Sequence, residues 1–153
     1  MRLIGLLLVA FAVGVLGFEY INKLKVRHAA YVKLSALWHF IYGEIDNFAS
    51  SPRAIANALD ESEDQRLVGS SELLRSPSLV RRLPIDLRDV DMIEEALEHL
   101  GEGYVEEVRA RAHEICAHLD KRGKEEKRRS EDGERVTLLL YGTALASALI
   151  LLV

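Results

Sequence analysis

The 153 residues of the chain suffice for one domain, but their composition is divided unevenly along it. Residues 19–135 hold all 24 acidic residues and 19 of the 20 basic ones, so their net charge is 19 minus 24, or −5. This mildly acidic balance argues against general binding of nucleic acids. The single cysteine, Cys116, excludes an intramolecular disulfide and a cysteine-based zinc cluster.

Both ends of the chain contain an uncharged run, at residues 3–18 and at residues 136–153. A helix needs about 17–25 apolar residues to cross a bilayer. We therefore predict one transmembrane helix in residues 1–18 and a second in residues 136–153. A cleaved signal peptide is the alternative for the first run, since Val15 and Gly17 are small enough for a cleavage site.

Basic residues next to the two runs argue against cleavage and predict the orientation in the membrane. Four lie within the 20 residues after the first run, and seven lie within the 20 residues before the second. Such residues resist translocation, and only Arg2 lies on the other side, so we expect residues 19–135 in the cytoplasm and both termini outside. The chain is thus predicted to be a cell-membrane protein with two spans.

The first predicted span continues into a long amphipathic helix. Apolar residues recur every three or four positions from Ile21 to Phe48, which is one face of a helix. Ser51 and Pro52 then predict the start of a short helix over residues 52–60, because serine caps a helix and proline fits its first position. The next segment, up to residue 88, is punctuated by serine and proline, and it predicts short helices and turns.

The remainder of this central domain predicts two more helices. Asp89 or Asp91 is placed to cap a helix that extends to Leu100, and Gly101 and Gly103 indicate a break after it. A longer helix is then expected from about residue 104 to residue 129, before a charged segment that leads into the second span.

The long helices on either side of the domain each carry an apolar stripe that neither can bury alone. Burial of one large apolar side chain contributes about 1.5–3 kcal/mol, which favours packing the two stripes together. We therefore predict an all-α fold, in which two transmembrane helices flank a cytoplasmic helical bundle built on an antiparallel helical stalk. Trp38 and Ile115 are expected in the same core.

Candidate chemistry is sparse. His113, Cys116 and His118 suggest a metal site, but two histidine ligands on a helix need a spacing of four residues. These histidines are five apart, which separates them by roughly 140° around a helix. We predict no catalytic residue, no cofactor and no metal site, and we expect that the protein is not an enzyme.

Two charged sets are candidate binding surfaces. The acidic set is typical of a solvated helix face, and the alternative is a docking surface for a basic partner; it consists of Glu94, Glu95, Glu98, Glu102, Glu106 and Glu107. The basic set precedes the second span and is expected to contact anionic lipid headgroups, at about 1 kcal/mol for each group. It consists of Lys121, Arg122, Lys124, Lys127, Arg128 and Arg129. Small residues four apart, Ala10 with Gly14 and Gly142 with Ala146, would allow self-association of the spans.

Several short motifs follow one another in a recognisable order. They are Leu3-Ile4-Gly5 through Gly17-Phe18, then Leu24, Arg27, Leu34, Leu37 and Gly43-Glu44-Ile45, then Leu100-Gly101, and finally a basic approach to Tyr141-Gly142 with a leucine-rich end. In this order they resemble the stage III sporulation protein AB family. The resemblance covers most of the chain, and none of its motifs is catalytic.

The resemblance implies a specific role. The chain would be a non-enzymatic platform subunit of a secretion-like channel complex between mother cell and forespore, in the mother-cell membrane around the forespore. Its domain would be similar to the cytoplasmic domains of type II secretion platform proteins, and its partners would be a secretion-type ATPase and other membrane subunits. The alternative is a small membrane adaptor or regulator unrelated to sporulation.

Overall fold

The computed structural model describes residues 2–48 and 51–150, so the outer ends of the two predicted spans, Met1 and 151–153, lie outside it. Every regular element in the described ranges is helical, which confirms the all-α prediction. The α-helices are α1 (Arg2–Phe48), α2 (Pro52–Glu61), α3 (Ser71–Arg75), α4 (Leu87–Glu98) and α5 (Val105–Ile150), with 3₁₀ helices at Gln65–Leu67 and Pro77–Arg82.

The chain divides into two compact units. One contains Met1–His28 and Lys124–Val153, and the other contains Ala29–Gly123. Each unit therefore includes part of α1 and part of α5. We refer to them as the terminal unit and the central unit.

Helix α1 runs from the first predicted span into the central unit, as the apolar period predicts. In the central unit its buried side chains recur every three or four residues, apart from the adjacent pair Leu37 and Trp38. They are Tyr31, Leu34, Leu37, Trp38, Ile41 and Ile45. This spacing places them on one face of the helix, and that face forms one side of the core.

The start of α2 follows its predicted cap. The Ser51 hydroxyl accepts a hydrogen bond from the Ala54 backbone N–H at 3.3 Å, and Pro52 occupies the first helical position. The segment after α2 consists of short helices, as predicted, and each places one buried apolar side chain in the core. These side chains are Leu67, Leu73 and Val80.

The predicted start of α4 is wrong by three residues for a cap at Asp89, or by five for a cap at Asp91. Neither Asp89 nor Asp91 caps the helix, because Asp86 occupies the cap position and the helix begins at Leu87. Asp89 lies one turn further on, where its side chain is buried against α5. After the helix, Gly101 has a φ of 90°, a backbone conformation that residues other than glycine rarely adopt. The predicted break in the helical path occurs there.

Helix α5 is longer than predicted, because it continues through Gly123 and Gly133 to Ile150 instead of ending near residue 129. Close packing explains one of these glycines. A Cβ atom added to Gly133 would lie 3.3 Å from Leu24 Cδ1 and 3.5 Å from a Tyr20 ring carbon. Glycine here lets α5 approach α1 within the terminal unit, which offsets its low helix propensity of about 1 kcal/mol relative to alanine.

Within the described ranges, no helix is both long and apolar enough to cross a membrane.

The core of the central unit joins α1, α2, α4, α5 and the short helices. Trp38 is 1% exposed and Ile115 is 4% exposed, and both belong to this one apolar cluster. The prediction that they share a core is confirmed.

Truncation of either side chain is expected to destabilise the protein. Trp38→Ala and Ile115→Ala should each lower the free energy of unfolding by about 2–5 kcal/mol, because each leaves a cavity in a packed core. Unfolding of the full chain in detergent micelles, followed by circular dichroism, measures the loss. Val68→Ala is the matched control, since Val68 is 67% exposed and its truncation should cost less than about 0.5 kcal/mol. Equal losses in all three variants would contradict the core assignment.

Candidate functional site

A buried polar network in the central unit is organised around the Asp89 carboxylate, which is 5% exposed. Its Oδ2 accepts a hydrogen bond from the Tyr31 hydroxyl and another from Arg122 Nε at 2.9 Å. Its Oδ1 lies 2.9 Å from His118 Nε2. The carboxylate is therefore contacted by α1 through Tyr31 and by α5 through His118 and Arg122.

Arg122 extends the network in two directions. Its guanidinium pairs with Asp86 at the start of α4, and its Nη2 donates to the Tyr31 hydroxyl at 3.3 Å. The same guanidinium lies over the Tyr31 ring, 5.5 Å from the ring centroid, which adds a cation–π contact. The Asp86 backbone N–H also donates to the Tyr31 hydroxyl at 3.2 Å.

This network corrects one member of the predicted lipid-contacting set. The Arg122 side chain is 17% exposed and is committed to Asp86 and Asp89, so it is removed from the predicted headgroup surface. Because Arg122 lies in a run of charged residues, the sequence indicated that its side chain would be solvated. The fold shows instead that this side chain contacts Asp86 and Asp89. The other five residues of the basic set remain exposed. They are Lys121, Lys124, Lys127, Arg128 and Arg129.

A second polar cluster contains the three residue types of a hydrolytic triad but not its connectivity. Asp120 accepts a hydrogen bond from the Ser35 hydroxyl, and its other oxygen lies 3.1 Å from His39 Nε2. In a catalytic triad the histidine lies between the serine and the carboxylate and removes the serine proton. Here the carboxylate lies in the middle, so this arrangement links α1 to α5 without activating Ser35.

The terminal unit has its own buried carboxylate at Glu126, which is fully buried. Its Oε1 accepts hydrogen bonds from Arg27 at 3.3 Å and from Arg129 at 3.0 Å. Removal of a carboxylate from water costs several kcal/mol unless a cation compensates it, so these arginines hold Glu126 in place. Sequence analysis could not identify this cluster of three residues, because Glu126 lies within a run of mixed charges.

His113, Cys116 and His118, which suggested a metal site that their spacing argues against, lie in different environments. The His113 ring packs near Tyr42 with 5.7 Å between ring centroids, His118 contacts Asp89, and Cys116 is buried in the core. Burial, with a smaller contribution from the charge of Asp120, raises the pKa of the Cys116 thiol to about 11. In the described ranges no group of three or more histidine, cysteine, aspartate or glutamate residues is arranged to hold a metal ion.

The predicted acidic set divides into one buried and five exposed residues. Glu94 is 8% exposed and accepts a hydrogen bond from Arg81 at 2.7 Å, so it belongs to the packing between α4 and the preceding 3₁₀ helix. The other five side chains, Glu95, Glu98, Glu102, Glu106 and Glu107, are exposed.

The exposed acidic residues differ in their effect on local helix stability. Glu106 and Glu107 lie in the first turn of α5, where the helix dipole favours negative charge. Glu95 and Glu98 lie in the last turn of α4, where the dipole disfavours negative charge by about 0.3–1 kcal/mol for each residue. The helix dipole therefore explains the presence of Glu106 and Glu107, but it does not explain that of Glu95 and Glu98.

An apolar groove lies beside the acidic residues in the central unit. Its volume is about 280 Å³. The lining residues come from the end of α1, the start of α2, the turn after α4 and the start of α5. They include Ile45, Pro52, Ile55, Leu100, Val105 and Val108. We call this feature the distal groove.

Small residues in the terminal unit pack α1 against α5 of the same chain. A Cβ atom added to Gly14 would overlap the Tyr141 ring, and one added to Gly17 would lie 2.6 Å from Thr137 Cγ2. Of the small residues predicted to allow self-association, Gly14 is thus covered by Tyr141 of the same chain. The side chain of its predicted companion, Ala10, lies outside the described residues. By contrast, a Cβ atom added to Gly142 would meet nothing within 4 Å.

Large apolar side chains remain exposed on both helices of the terminal unit. On α1, Phe11 is 68% exposed and Phe18 is 73% exposed; on α5, Leu138 is 73% exposed and Leu139 is 69% exposed. Solvent exposure of several such residues is unfavourable in water and is typical of surfaces that contact lipid or another protein.

Comparison of the chain with known protein families, with characterised proteins and with solved structures finds no significant match.

Disruption of the Asp89 network should cost more than loss of a surface charge. We expect Asp89→Asn to lower the free energy of unfolding by about 1–3 kcal/mol, because the partly buried Arg122 then keeps only Asp86 as an ionic partner. Asp91→Asn is the matched control: it makes the same change on an exposed residue of α4, and should cost less than about 0.5 kcal/mol. Chemical unfolding of the two variants compares them, and similar losses would show that the network adds nothing specific.

Proposed function

We propose that the chain is a non-enzymatic platform subunit that holds a cytoplasmic docking domain at the membrane of a sporulation channel complex. In this proposal the terminal unit attaches the chain to the mother-cell membrane around the forespore. The central unit presents a surface to a secretion-type ATPase and to other membrane subunits. The order of motifs that resembles the stage III sporulation protein AB family supports the choice of complex.

The observation that carries the proposal is the contrast between the two units. The terminal unit packs its two uncharged runs together at Gly14 and Gly17 and leaves large apolar side chains exposed around that contact. The central unit instead has an apolar interior, and its exposed residues are largely charged or polar. Membrane attachment is proposed from the uncharged runs at 3–18 and 136–153 of the sequence.

The internal use of charge supports docking over catalysis. The buried acids Asp89, Glu94 and Glu126 each contact an arginine, and these contacts join helices. The exposed glutamates of α4, by contrast, are disfavoured by the helix dipole and form no ion pair within the described residues. A basic partner would use them, and such charges act mainly on the rate of association.

Topology is the first test of the proposal. Glu63→Cys places an accessible thiol in the central unit, since Glu63 is exposed. We expect a membrane-impermeant maleimide to label this thiol only after cells are permeabilised, because the positive-inside rule places the central unit in the cytoplasm. Labelling of intact cells would contradict this topology.

Wild-type protein is the control for the labelling. Its Cys116 thiol is buried, and its pKa of about 11 instead of 9.0 leaves about a hundredfold less thiolate at neutral pH. Wild type should therefore label slowly until it is denatured.

Partner recovery distinguishes the platform from the alternative, a membrane adaptor unrelated to sporulation. We expect the full chain to co-purify with a co-expressed secretion-type ATPase from the same genome. Reversal of Glu95, Glu98 and Glu102 to lysine should abolish recovery, because like charges then face a basic surface. The matched control reverses Glu61, Glu63 and Glu72, which are also exposed in the central unit. Absence of the ATPase from the wild-type sample would favour the alternative.

A further inference from the structure

An apolar side chain at the start of α4 has no role in the core. Leu87, the first residue of the helix, is 79% exposed. Arg82 and Arg88 on either side of it in sequence are exposed as well, and neither forms an ion pair within the described part of the chain. We call Leu87 with these two arginines the Leu87 knob. Its apolar surface contributes nothing to the stability of its own chain.

The distal groove has the opposite character. Val105 lines it and is still 52% exposed, and Tyr104, the residue before Val105 in sequence, is 80% exposed. Glu106 and Glu107 follow directly in sequence, and both are exposed without an ion pair among the described residues. Glu107 lies against the groove wall, since its Oε2 is 3.2 Å from the position of a Cβ atom on Gly103. The groove is therefore an apolar recess with two unpaired carboxylates beside it.

We propose that the distal groove of one copy of this chain receives the Leu87 knob of a second copy. Leucine would enter the apolar recess, while the arginines of the knob would face the carboxylates beside the groove. The groove volume of about 280 Å³ is large enough to admit a leucine side chain and lies just below the range for small-molecule pockets, which begins at about 300 Å³. The inference goes beyond the proposed function, which sets no number of copies.

The knob cannot fill the groove of its own chain. Leu87 begins α4 and Leu100 lies just beyond its end. The 13 positions between them correspond to roughly 20 Å at the helical rise of 1.5 Å per residue. The contact therefore joins two different patches on two copies, which is a head-to-tail interface that can repeat along an assembly.

The contact is expected to be weak for isolated molecules in solution. Stable interfaces bury about 1,200–2,000 Å² in total, and one leucine with its neighbouring charges buries much less. Confinement of the copies to one membrane or complex would raise their effective concentration and so compensate for this weakness. The test therefore traps the contact covalently.

Disulfide trapping in the full chain, in membranes or in detergent micelles, tests the proposal. A disulfide needs Cα atoms about 4.4–6.8 Å apart, so Leu87→Cys and Val105→Cys can be joined only between copies. We expect a mixture of the two single variants to form a covalent dimer upon oxidation, and the double variant to form a ladder of larger species. Leu87→Cys mixed with Val68→Cys is the matched control, since Val68 is exposed elsewhere in the central unit. That mixture should stay monomeric.

Charge exchange tests whether the contact is specific. Glu106→Lys with Glu107→Lys on the Val105→Cys chain should reduce trapping by about tenfold, because like charges then meet across the interface. Arg82→Glu with Arg88→Glu on the Leu87→Cys chain should restore it. Circular dichroism checks that each variant stays folded.

Four outcomes would overturn the proposal. One is the absence of a dimer from the mixture of single variants, and a second is trapping that is unaffected by the charge changes. A third is dimerisation of Leu87→Cys with itself to the same extent, which indicates a symmetric contact. The fourth is a monomeric chain that loses the co-expressed ATPase upon Val105→Glu, because the groove would then belong to that partner.

Discussion

The ion pair between Asp89 and Arg122 is the interaction on which the arrangement of the central unit depends. A carboxylate that is 5% exposed is costly unless a cation compensates it, and here α5 supplies the cation and α1 a hydroxyl. A shift of α5 by one turn, about 5.4 Å, would separate these groups and leave Asp89 buried and unpaired. The apolar stripes distinguish less well between the observed register of α5 and one shifted by a turn. Their side chains recur every three or four residues and meet similar neighbours after such a shift.

This division of roles agrees with the general energetics of buried charge. Apolar burial supplies most of the stability of a helical core, while replacement of a buried ion pair by apolar residues is often neutral or stabilising. The main effect of the network is therefore to select the register of α5 against α1 and α4, and its contribution to stability is secondary. The terminal unit uses the same device at Glu126, which Arg27 of α1 and Arg129 of α5 both contact.

Local sequence patterns predicted the helices well and the polar contacts poorly. The apolar period of α1, the Ser51 cap and the break at Gly101 depend on neighbouring residues, so they are visible in the sequence. Tyr31 fitted the apolar stripe and Arg122 fitted a charged surface, yet the two form a hydrogen bond across 91 positions. The misplaced start of α4 has the same origin, since the tertiary pairing of Asp89 took precedence over its propensity to cap. Helix α5 is longer than predicted because close packing at Gly133 offset the low helix propensity of glycine.

The distribution of charge also bears on the kind of function that the fold can support. Catalysis requires titratable groups that are accessible and poised, whereas the buried carboxylates of this chain are already compensated by arginine. The accessible glutamates at the end of α4 have no such partner among the described residues, and they oppose the dipole of their own helix. We propose that these surface charges, which oppose the dipole of their own helix and lack an internal partner, make a contact with another molecule. For this reason the acidic end of the central unit, and not its buried network, is the place where we expect function to lie.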